Sequence, residues 1–129
     1  MCRASDGAQV DLDLRAVPLL PTARTLAQQG LFSSLQPDNL RAKRAVPNHA
    51  ALMASASPED AAHYALLFDP QTAGGLLATV NPRDAQSVVH RLKAAGYPYA
   101  AIVGNVTGFN ADPVADPAHI SVSINNKTK

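Results

Sequence analysis

The sequence predicts an α+β domain in which helices pack on one face of a mainly antiparallel or mixed sheet. Hydrophobic residues make up 47% of the 129 residues, which favours a packed core over disorder. Strand-like alternation occurs near both ends, in residues 8–17 and 119–124, and helical patterns lie between them. The chain has no internal repeat and no linker-like stretch, so residues 1–129 are expected to form a single domain.

The first part of the chain is expected to form a strand, a turn and a short helix. In AQVDLDLRAV, residues 8–17, apolar and charged side chains alternate with the period of a strand that has one solvated face. PLLPT forms a turn, and Thr22 can cap a helix over residues 23–29 that ends at Gly30. For residues 31–47 two interpretations stay open, a loop or a helix that begins after Pro37.

A second helix has a clear start. Ser57 is a favourable N-cap, Pro58 suits the first helical position, and two acidic residues follow where the helix dipole favours negative charge. This helix is expected to run to about Phe68 and to stop before Pro70, because proline disfavours a helical conformation at the residue before it.

The last part of the chain is expected to add three strands and one helix. GGLLATV, residues 74–80, has the composition of a buried strand. Asn81-Pro82 opens a helix with apolar residues at Ala85, Val88, Val89, Leu92 and Ala95, which is the spacing of one helix face, and Gly96 ends it. Strands are predicted at residues 99–106, with a bend at Gly104, and at residues 119–124.

Composition excludes several classes of function. A net charge of +1 is too small for an extensive nucleic-acid surface, and the basic run RAKR at residues 41–44 is better explained as a solvated face. The single cysteine, Cys2, permits no intramolecular disulfide and no cysteine-based metal site. No apolar run approaches the ~18 residues of a membrane span, and no signal-peptide core is present. We therefore expect a cytoplasmic domain without a membrane or nucleic-acid partner.

One polar stretch stands between two apolar runs and is the best candidate for a site. We call residues 69–75, DPQTAGG, the hinge. Its glycines can adopt positive φ and let a ligand or another backbone approach, and its consecutive N–H groups can bind an anion, but an ordinary turn explains the same residues. The hinge lacks the lysine of a P-loop. No residue pattern predicts a catalytic group, since there is no nucleophile–base pair, and none predicts a metal site. Asp11 and Asp13 could hold a cation, although a solvated strand face is the simpler interpretation.

The hinge and its surroundings resemble a known family. LLFDPQTAGGLLATV, residues 66–80, is similar to the DPQTSGGLL signature in the C-terminal domain of selenophosphate synthetases (selenide, water dikinases), with Ala73 in place of Ser. VDLDLRAVPLLPTARTLAQQG, residues 10–30, resembles the segment that precedes the signature. LKAAGYPYAAIVGNV, residues 92–106, resembles the helix and strand that follow it. The resemblance covers nearly the whole chain.

The resemblance implies a fold, a reaction and partners. The fold would be that of the C-terminal domain of the aminoimidazole ribonucleotide (AIR) synthetase superfamily. The parent enzyme would convert ATP, selenide and water to selenophosphate, AMP and phosphate, with Mg²⁺ and ATP as cofactors, and would form a homodimer. An N-terminal domain of the parent would carry the catalytic Cys or selenocysteine, a Lys and most metal-binding aspartates. The present chain would be an excised C-terminal domain that helps to close the ATP site and is inactive alone.

The resemblance also suggests the site residues and one departure. Residues that would contact the nucleotide or the neighbouring domain are Asp69, Gln71, Thr72, Gly74, Gly75 and Asn39. Where the family has GGT--N, this chain has SSLQPDN, residues 33–39, of which Asn39 alone matches. Loss of that flexible loop favours an alternative function, a non-catalytic dimerisation or interdomain binding module of a divergent member, such as a form fused to a flavin- and nicotinamide-dependent oxidoreductase. Cys2 follows the position of the family's DVTGFGLLGH segment, so it is not expected to be the catalytic cysteine.

Overall fold

A computed structural model describes residues 8–109 and 120–125. Within these residues, helices α1 to α5 combine with strands β1 to β3, and two 3₁₀ helices occupy Leu14–Ala16 and Leu40–Ala45. The helices are α1 (Ala23–Gln28), α2 (Gln36–Asn39), α3 (His49–Ser55), α4 (Pro58–Leu66) and α5 (Ala85–Ala94). The strands are β1 (Ala8–Asp13), β2 (Gly104–Phe109) and β3 (Ile120–Ser123).

The three strands form a mixed sheet in the order β2-β1-β3. β1 pairs antiparallel with β2, with Leu12 opposite Gly104, and parallel with β3, with Leu12 opposite Val122. A mixed sheet with helices agrees with the sequence prediction at this level, while the finer AIR synthetase-like arrangement stays a prediction. β3 begins at Ile120, and His119, the first residue of the predicted strand, lies outside the described residues.

β1 is shorter than predicted, because it ends at Asp13 and not at residue 17. A side-chain oxygen of Asp13 accepts a hydrogen bond from the Arg15 N–H at 3.1 Å, and the chain turns into the 3₁₀ helix. The turn places Leu14 fully inside the core. A local cap therefore competes with the strand and ends it at Asp13, and burial does not alternate along β1, since residues 9–13 are all half-buried.

The core lies between the sheet and the helices α3 and α4. Its buried apolar side chains come from the 3₁₀ turn after β1, the loop before α3, α3, α4 and its end, and β3: Leu14, Val46, Leu52, Tyr64, Phe68 and Val122. The Tyr64 and Phe68 rings meet edge to face, with centroids 5.2 Å apart. Ser121 and Ser123 alternate with the core residues of β3, and Ser123 donates to Asp11 across the sheet at 3.4 Å. That contact agrees with a solvated second face.

Two predicted helix ends are confirmed at Gly30 and Gly96. Both glycines have positive φ, 74° and 96°. In each case the next residue donates its N–H at 3.0 Å to a carbonyl one turn back, which completes a Schellman motif: Leu31 to Leu26 and Tyr97 to Leu92. Thr22 stands at the N-cap of α1, but its side chain makes no capping hydrogen bond.

The N-cap of α4 is confirmed as well, and the open stretch after α1 is helical. The Ser57 hydroxyl accepts a hydrogen bond from the Asp60 N–H at 3.1 Å. Residues 31–47 contain the short helix α2 and the 3₁₀ helix Leu40–Ala45, so the helical interpretation is closer than the loop. Helix α3 was not predicted.

The expected buried strand at residues 74–80 is wrong for this structure. These residues are exposed and belong to no strand, and 59% of Leu77 is accessible to solvent. Helix α5 contains no buried residue, although Val88 and Val89 are half-buried. The next strand begins at Gly104 and not at residue 99. The apolar side chains of this region are therefore not covered by another described part of the chain.

Candidate functional site

The hinge directly follows α4 and is anchored at its first residues. Phe68 is buried in the core, and the Asp69 N–H donates to the Leu66 carbonyl at 3.2 Å, which ends the helix. Asp69 and Pro70 are half-buried. From Gln71 onward every residue to position 80 is exposed, so the hinge leaves the body of the molecule there.

The exposed part of the hinge is an open bend. Thr72 and Ala73 form the bend, and no backbone–backbone hydrogen bond joins residues 71–80 to the rest of the described chain. Gln71 folds over Gly74, because its Oε1 would lie 2.8 Å from a Cβ placed on that glycine. Gly75 has nothing within 4 Å of the same position. The N–H groups of the bend are therefore accessible to an acceptor from outside.

The two hinge glycines do not use the positive φ that glycine permits. Among the described glycines, positive φ occurs at Gly30 and Gly96. The atom nearest to a Cβ on Gly74 is the end of the flexible Gln71 side chain, which can move aside, so the structure does not require glycine at this position.

Asn39 is the last residue of α2, and its side chain is exposed. Within residues 8–109 and 120–125, no hydrogen bond or ion pair connects it to the hinge. Its helix is nevertheless fixed beside α4, because the buried Gln36 donates through Nε2 to the Ala65 carbonyl at 3.0 Å. The divergent segment SSLQPDN is thus a structured turn, in which Ser33 accepts from the Gln36 N–H at 3.0 Å.

An ion pair that sequence reasoning missed stabilises the N-terminal end of α4. Arg15 donates to both carboxylate oxygens of Asp60, from Nε at 2.9 Å and from Nη2 at 2.8 Å. The Ser57 hydroxyl also donates to Asp60, at 2.6 Å. The hydrogen bonds from Arg15, with those from Ser57, lower the pKa of Asp60 to about 2 against the opposing effect of burial. We call Arg15, Ser57 and Asp60 the clamp.

A second pair lies beside the clamp. Arg24 of α1 forms an ion pair with Glu59 and lies 3.4 Å from Nδ1 of His63, while Nε2 of His63 lies 3.2 Å from the Val17 carbonyl. A neutral ring that accepts at Nδ1 and donates at Nε2 satisfies both contacts. Burial, followed by the charge of Arg24, lowers the pKa of His63.

The chemistry of the clamp region suits a role in stability and not in a reaction. It lines an open pocket of about 380 Å³ with two arginines and two carboxylates, whose charges balance: Arg15, Arg24, Glu59 and Asp60. The Ser57 hydroxyl donates to the carboxylate of Asp60, whose pKa of about 2 makes it a weak base, and Nδ1 of His49 lies 3.1 Å from the hydroxyl of the buried Tyr64, so neither contact activates an exposed nucleophile here.

Within residues 8–109 and 120–125, no group of three or more His, Cys, Asp or Glu could hold a metal ion. No helix in the described ranges is long and apolar enough to cross a membrane. Cys2 lies outside the described residues.

The sequence indicated the position of Asp60 in the clamp but not its pairing with Arg15. The pattern Ser-Pro-Glu-Asp marked the helix start and thus the position of Asp60. Its partner Arg15 is 45 residues away, and the alternating pattern had placed that arginine on the solvated face of a strand. An ion pair over such a distance depends on the tertiary fold, which single-sequence patterns do not contain.

Comparison with known proteins confirms the resemblance seen at the hinge. Three proteins named selenide, water dikinase illustrate the similarity. The protein from Rhizobium meliloti is 37% identical over 106 residues, which are 81% of this chain and 28% of that protein. The protein from Caldanaerobacter subterraneus is 33% identical over 102 residues, 79% of this chain and 28% of that protein. The protein from Pelobacter propionicus is 58% identical over a shorter stretch of 41 residues, 32% of this chain and 12% of that protein.

The chain therefore spans little more than a quarter of the length of the longer-matching relatives. No protein-family profile matches it. No solved structure matches it either.

Proposed function

We propose that this chain, which is related in sequence to the selenide, water dikinases, supplies the part of a selenophosphate synthetase-like enzyme that closes over the nucleotide. The parent reaction would convert ATP, selenide and water to selenophosphate, AMP and phosphate, and the chain alone would be inactive. The observation that carries the proposal is the position of the hinge. The most specific part of the resemblance is also the point where the chain leaves its folded body and exposes its backbone.

The hinge fits the phosphates of a nucleotide in part. Its exposed N–H groups are donors without a backbone partner in the described chain, and phosphate oxygens are acceptors. Gln71 and Thr72 add an amide and a hydroxyl, and the bare glycines let a phosphate approach the backbone. The hinge contains no basic residue. Charge neutralisation would therefore come from elsewhere in the parent.

Mg²⁺ does not fit this chain alone. Asp69 is the single acidic residue of the hinge, and the described residues contain no group of three candidate ligands. Mg²⁺ prefers octahedral oxygen ligands and is usually held by one or two carboxylates together with substrate phosphates. Asp69 could be one such carboxylate, with the remaining ligands from the N-terminal domain of the parent and from ATP.

The uncovered apolar surface supports an interdomain partner. Large apolar side chains are exposed on both sides of α5 as well as in it, including Leu77, Leu92, Tyr97 and Tyr99. Several large apolar side chains exposed in one part of the chain favour an interaction site there. We propose that the N-terminal domain of the parent packs near this region, and that the parent is a homodimer located in the cytoplasm.

An exchange of segments tests the proposal. The matching segment of the Rhizobium meliloti protein would be replaced by this chain, and AMP formation from ATP would be measured with and without selenide. We expect selenide-dependent AMP formation by the chimaera and none by the isolated chain. The variant Thr72→Val should lower that activity, since it removes a donor at the hinge. Thr79→Val, in the same exposed stretch but beyond the hinge, is the matched control and should leave it unchanged.

One observation favours a second function, a non-catalytic interdomain or dimerisation module. Where the family has a glycine-containing loop, this chain has a turn and a helix held by the buried Gln36. A structured segment is less able to close on a ligand. A folded chimaera without selenide-dependent AMP formation would favour this module and overturn the enzyme proposal.

A further inference from the structure

The segment that contains α2 buries a glutamine and exposes its apolar residues. Within residues 31–39 the one buried residue is Gln36, 5% exposed, whereas Leu31 and Leu35 are 58% and 61% exposed. Burial of a polar side chain costs free energy unless the side chain is hydrogen-bonded. Nε2 of Gln36 donates to the Ala65 carbonyl, in the last turn of α4, at 3.0 Å. The hydrogen bond to α4 therefore explains why a glutamine, and not one of the leucines, is buried here.

The Ala65 carbonyl lies where α4 loses a donor. In a continuous α-helix this carbonyl would accept from the N–H of Asp69. Pro70 has no N–H to give to the Leu66 carbonyl, and the Asp69 N–H bonds to that carbonyl instead, at 3.2 Å. The amide of Gln36 takes the place of the donor that Ala65 lacks. Gln36 thus caps the end of α4 from another helix.

The turn that Gln36 caps is also the anchored start of the hinge. The N–H groups of residues 67, 68 and 69 each donate to the carbonyl three residues earlier, at 3.1, 3.2 and 3.2 Å, so the helix ends as a 3₁₀ turn. A 3₁₀ turn rotates the chain by about 120° per residue and an α-helix by about 100°, so the form of this turn sets the direction in which the hinge leaves the body. Gln36 and the Phe68 N–H together use both lone pairs of the Ala65 carbonyl, and the α form needs that carbonyl for Asp69. The contact with Gln36 therefore favours the 3₁₀ form.

We propose that Gln36 is a positioning residue for the hinge: its amide holds the last turn of α4 in the 3₁₀ form and so sets the direction in which residues 71–75 leave the folded body. Within the described chain Gln36 makes no hydrogen bond to these residues, so it acts through Ala65 and Asp69. Gln36 belongs to SSLQPDN, where this chain departs from the glycine-containing loop of the family. The effect on nucleotide binding rests on the proposed function, whereas the effect on the hinge backbone does not.

Backbone amide chemical shifts test the positioning directly. Gln36→Met keeps the length of the side chain and removes the donor, and Gln28→Met, at the exposed end of α1, is the matched control. We expect Gln36→Met to change the shifts of residues 68–75 and the control to leave them as in the wild type. A loss of stability alone does not move the native shifts of residues that Gln36 does not contact. Shift changes confined to α2 and to residues 64–67 would overturn the proposal.

A substitution in the hinge tests the cause. Pro70→Ala restores an N–H that can pair with the Leu66 carbonyl, which frees the Asp69 N–H to return to Ala65. In this background the amide of Gln36 is no longer needed, so Gln36→Met should change the hinge shifts much less than it does in the wild type. An equal effect of Gln36→Met in both backgrounds would overturn the proposal. Should Gln36→Met fail to fold, Gln36→Asn, which withdraws the amide by one methylene, replaces it in both comparisons with the same expected result.

Titration with Mg-ATP separates this inference from the proposed function. Gln36→Met should weaken binding about three- to tenfold relative to the wild type, the effect of one hydrogen bond, and Gln28→Met should not. An unchanged affinity in Gln36→Met would overturn the role of Gln36 in nucleotide binding. Absence of binding by the wild type would overturn the proposed function, and the shift comparison would still decide whether Gln36 positions the hinge.

Discussion

Removal of the negative charge of Asp60 is expected to destabilise the chain through the clamp. Asp60→Asn keeps the shape of the side chain and can still accept from Ser57, but it loses the charge that binds Arg15 through two hydrogen bonds. The pKa of Asp60 falls from 3.8 to about 2, and each pKa unit corresponds to about 1.4 kcal/mol. This gives an upper limit of about 2.5 kcal/mol. Since the Arg15 side chain is 41% exposed, solvent screens the pair, and we expect a loss of about 1–2 kcal/mol at pH 7.

The loss of stability in Asp60→Asn is expected to depend on pH. The pKa of Asp60 is lower in the folded than in the unfolded chain, so its stabilisation is present above pH ~4 and disappears as the pH falls through about 2. Urea unfolding followed by circular dichroism, for the wild type and the variant at pH 7 and between pH 4 and 2, measures both effects.

The neighbouring exposed pair provides the control. Glu59→Gln removes an ion pair with side chains 40% and 56% exposed, and should cost no more than about 0.5 kcal/mol. If Asp60→Asn is no more destabilising than Glu59→Gln at pH 7, or if the difference between Asp60→Asn and the wild type persists at pH 2, the account of the clamp is wrong.

Three further predictions concern other contacts. Burial lowers the pKa of His63, so the neutral ring stabilises the folded chain above the unfolded pKa, and this stabilisation is lost as the pH falls below ~6.5. His63→Gln should therefore reduce the loss of stability between pH 7 and 5. The same substitution at the exposed His90 is the control and should not reduce it. Gly104→Ala should cost about 1–3 kcal/mol in urea unfolding, because its Cβ would lie 2.2 Å from the Asp11 carbonyl oxygen, whereas Gly108→Ala meets an ordinary contact and should cost much less. Asn48→Ala should cost about 1–2 kcal/mol and should speed amide exchange at Val122, whose N–H donates to the Asn48 side chain at 3.2 Å, and an unchanged exchange rate there would refute the role of that hydrogen bond.

Local signals in the sequence predicted those parts of the fold that local physics decides. Ser57 and Gly30 marked a helix start and a helix end correctly, because a cap needs only neighbouring residues. β1 was predicted too long, because the side chain of Asp13 satisfies the backbone N–H of Arg15 and starts a turn that alternation cannot show. Residues 74–80 have a strand's composition but form no strand in the structure, because composition does not supply a pairing partner.

In the candidate site too, the sequence predicted the part formed by consecutive residues and missed the part formed by distant ones. The hinge was identified from a continuous stretch of sequence and is exposed in the structure. Asn39, assigned to the same site by resemblance, is the last residue of α2, and among the described residues no hydrogen bond or ion pair joins it to the hinge. The clamp depends on Arg15 and Asp60, which the fold brings together from distant positions, so no local pattern could predict it.

The most direct test of the central claim is whether the hinge contacts a nucleotide. The isolated chain would be titrated with Mg-ATP and then with AMP, and backbone amide chemical shifts would be followed by NMR. The account predicts shifts centred on Thr72 to Gly75 at millimolar ligand, with little change at Asn39 or in the clamp. Unchanged hinge amides up to millimolar ligand would contradict the claim that the hinge binds nucleotide and would leave it a structural or interdomain contact.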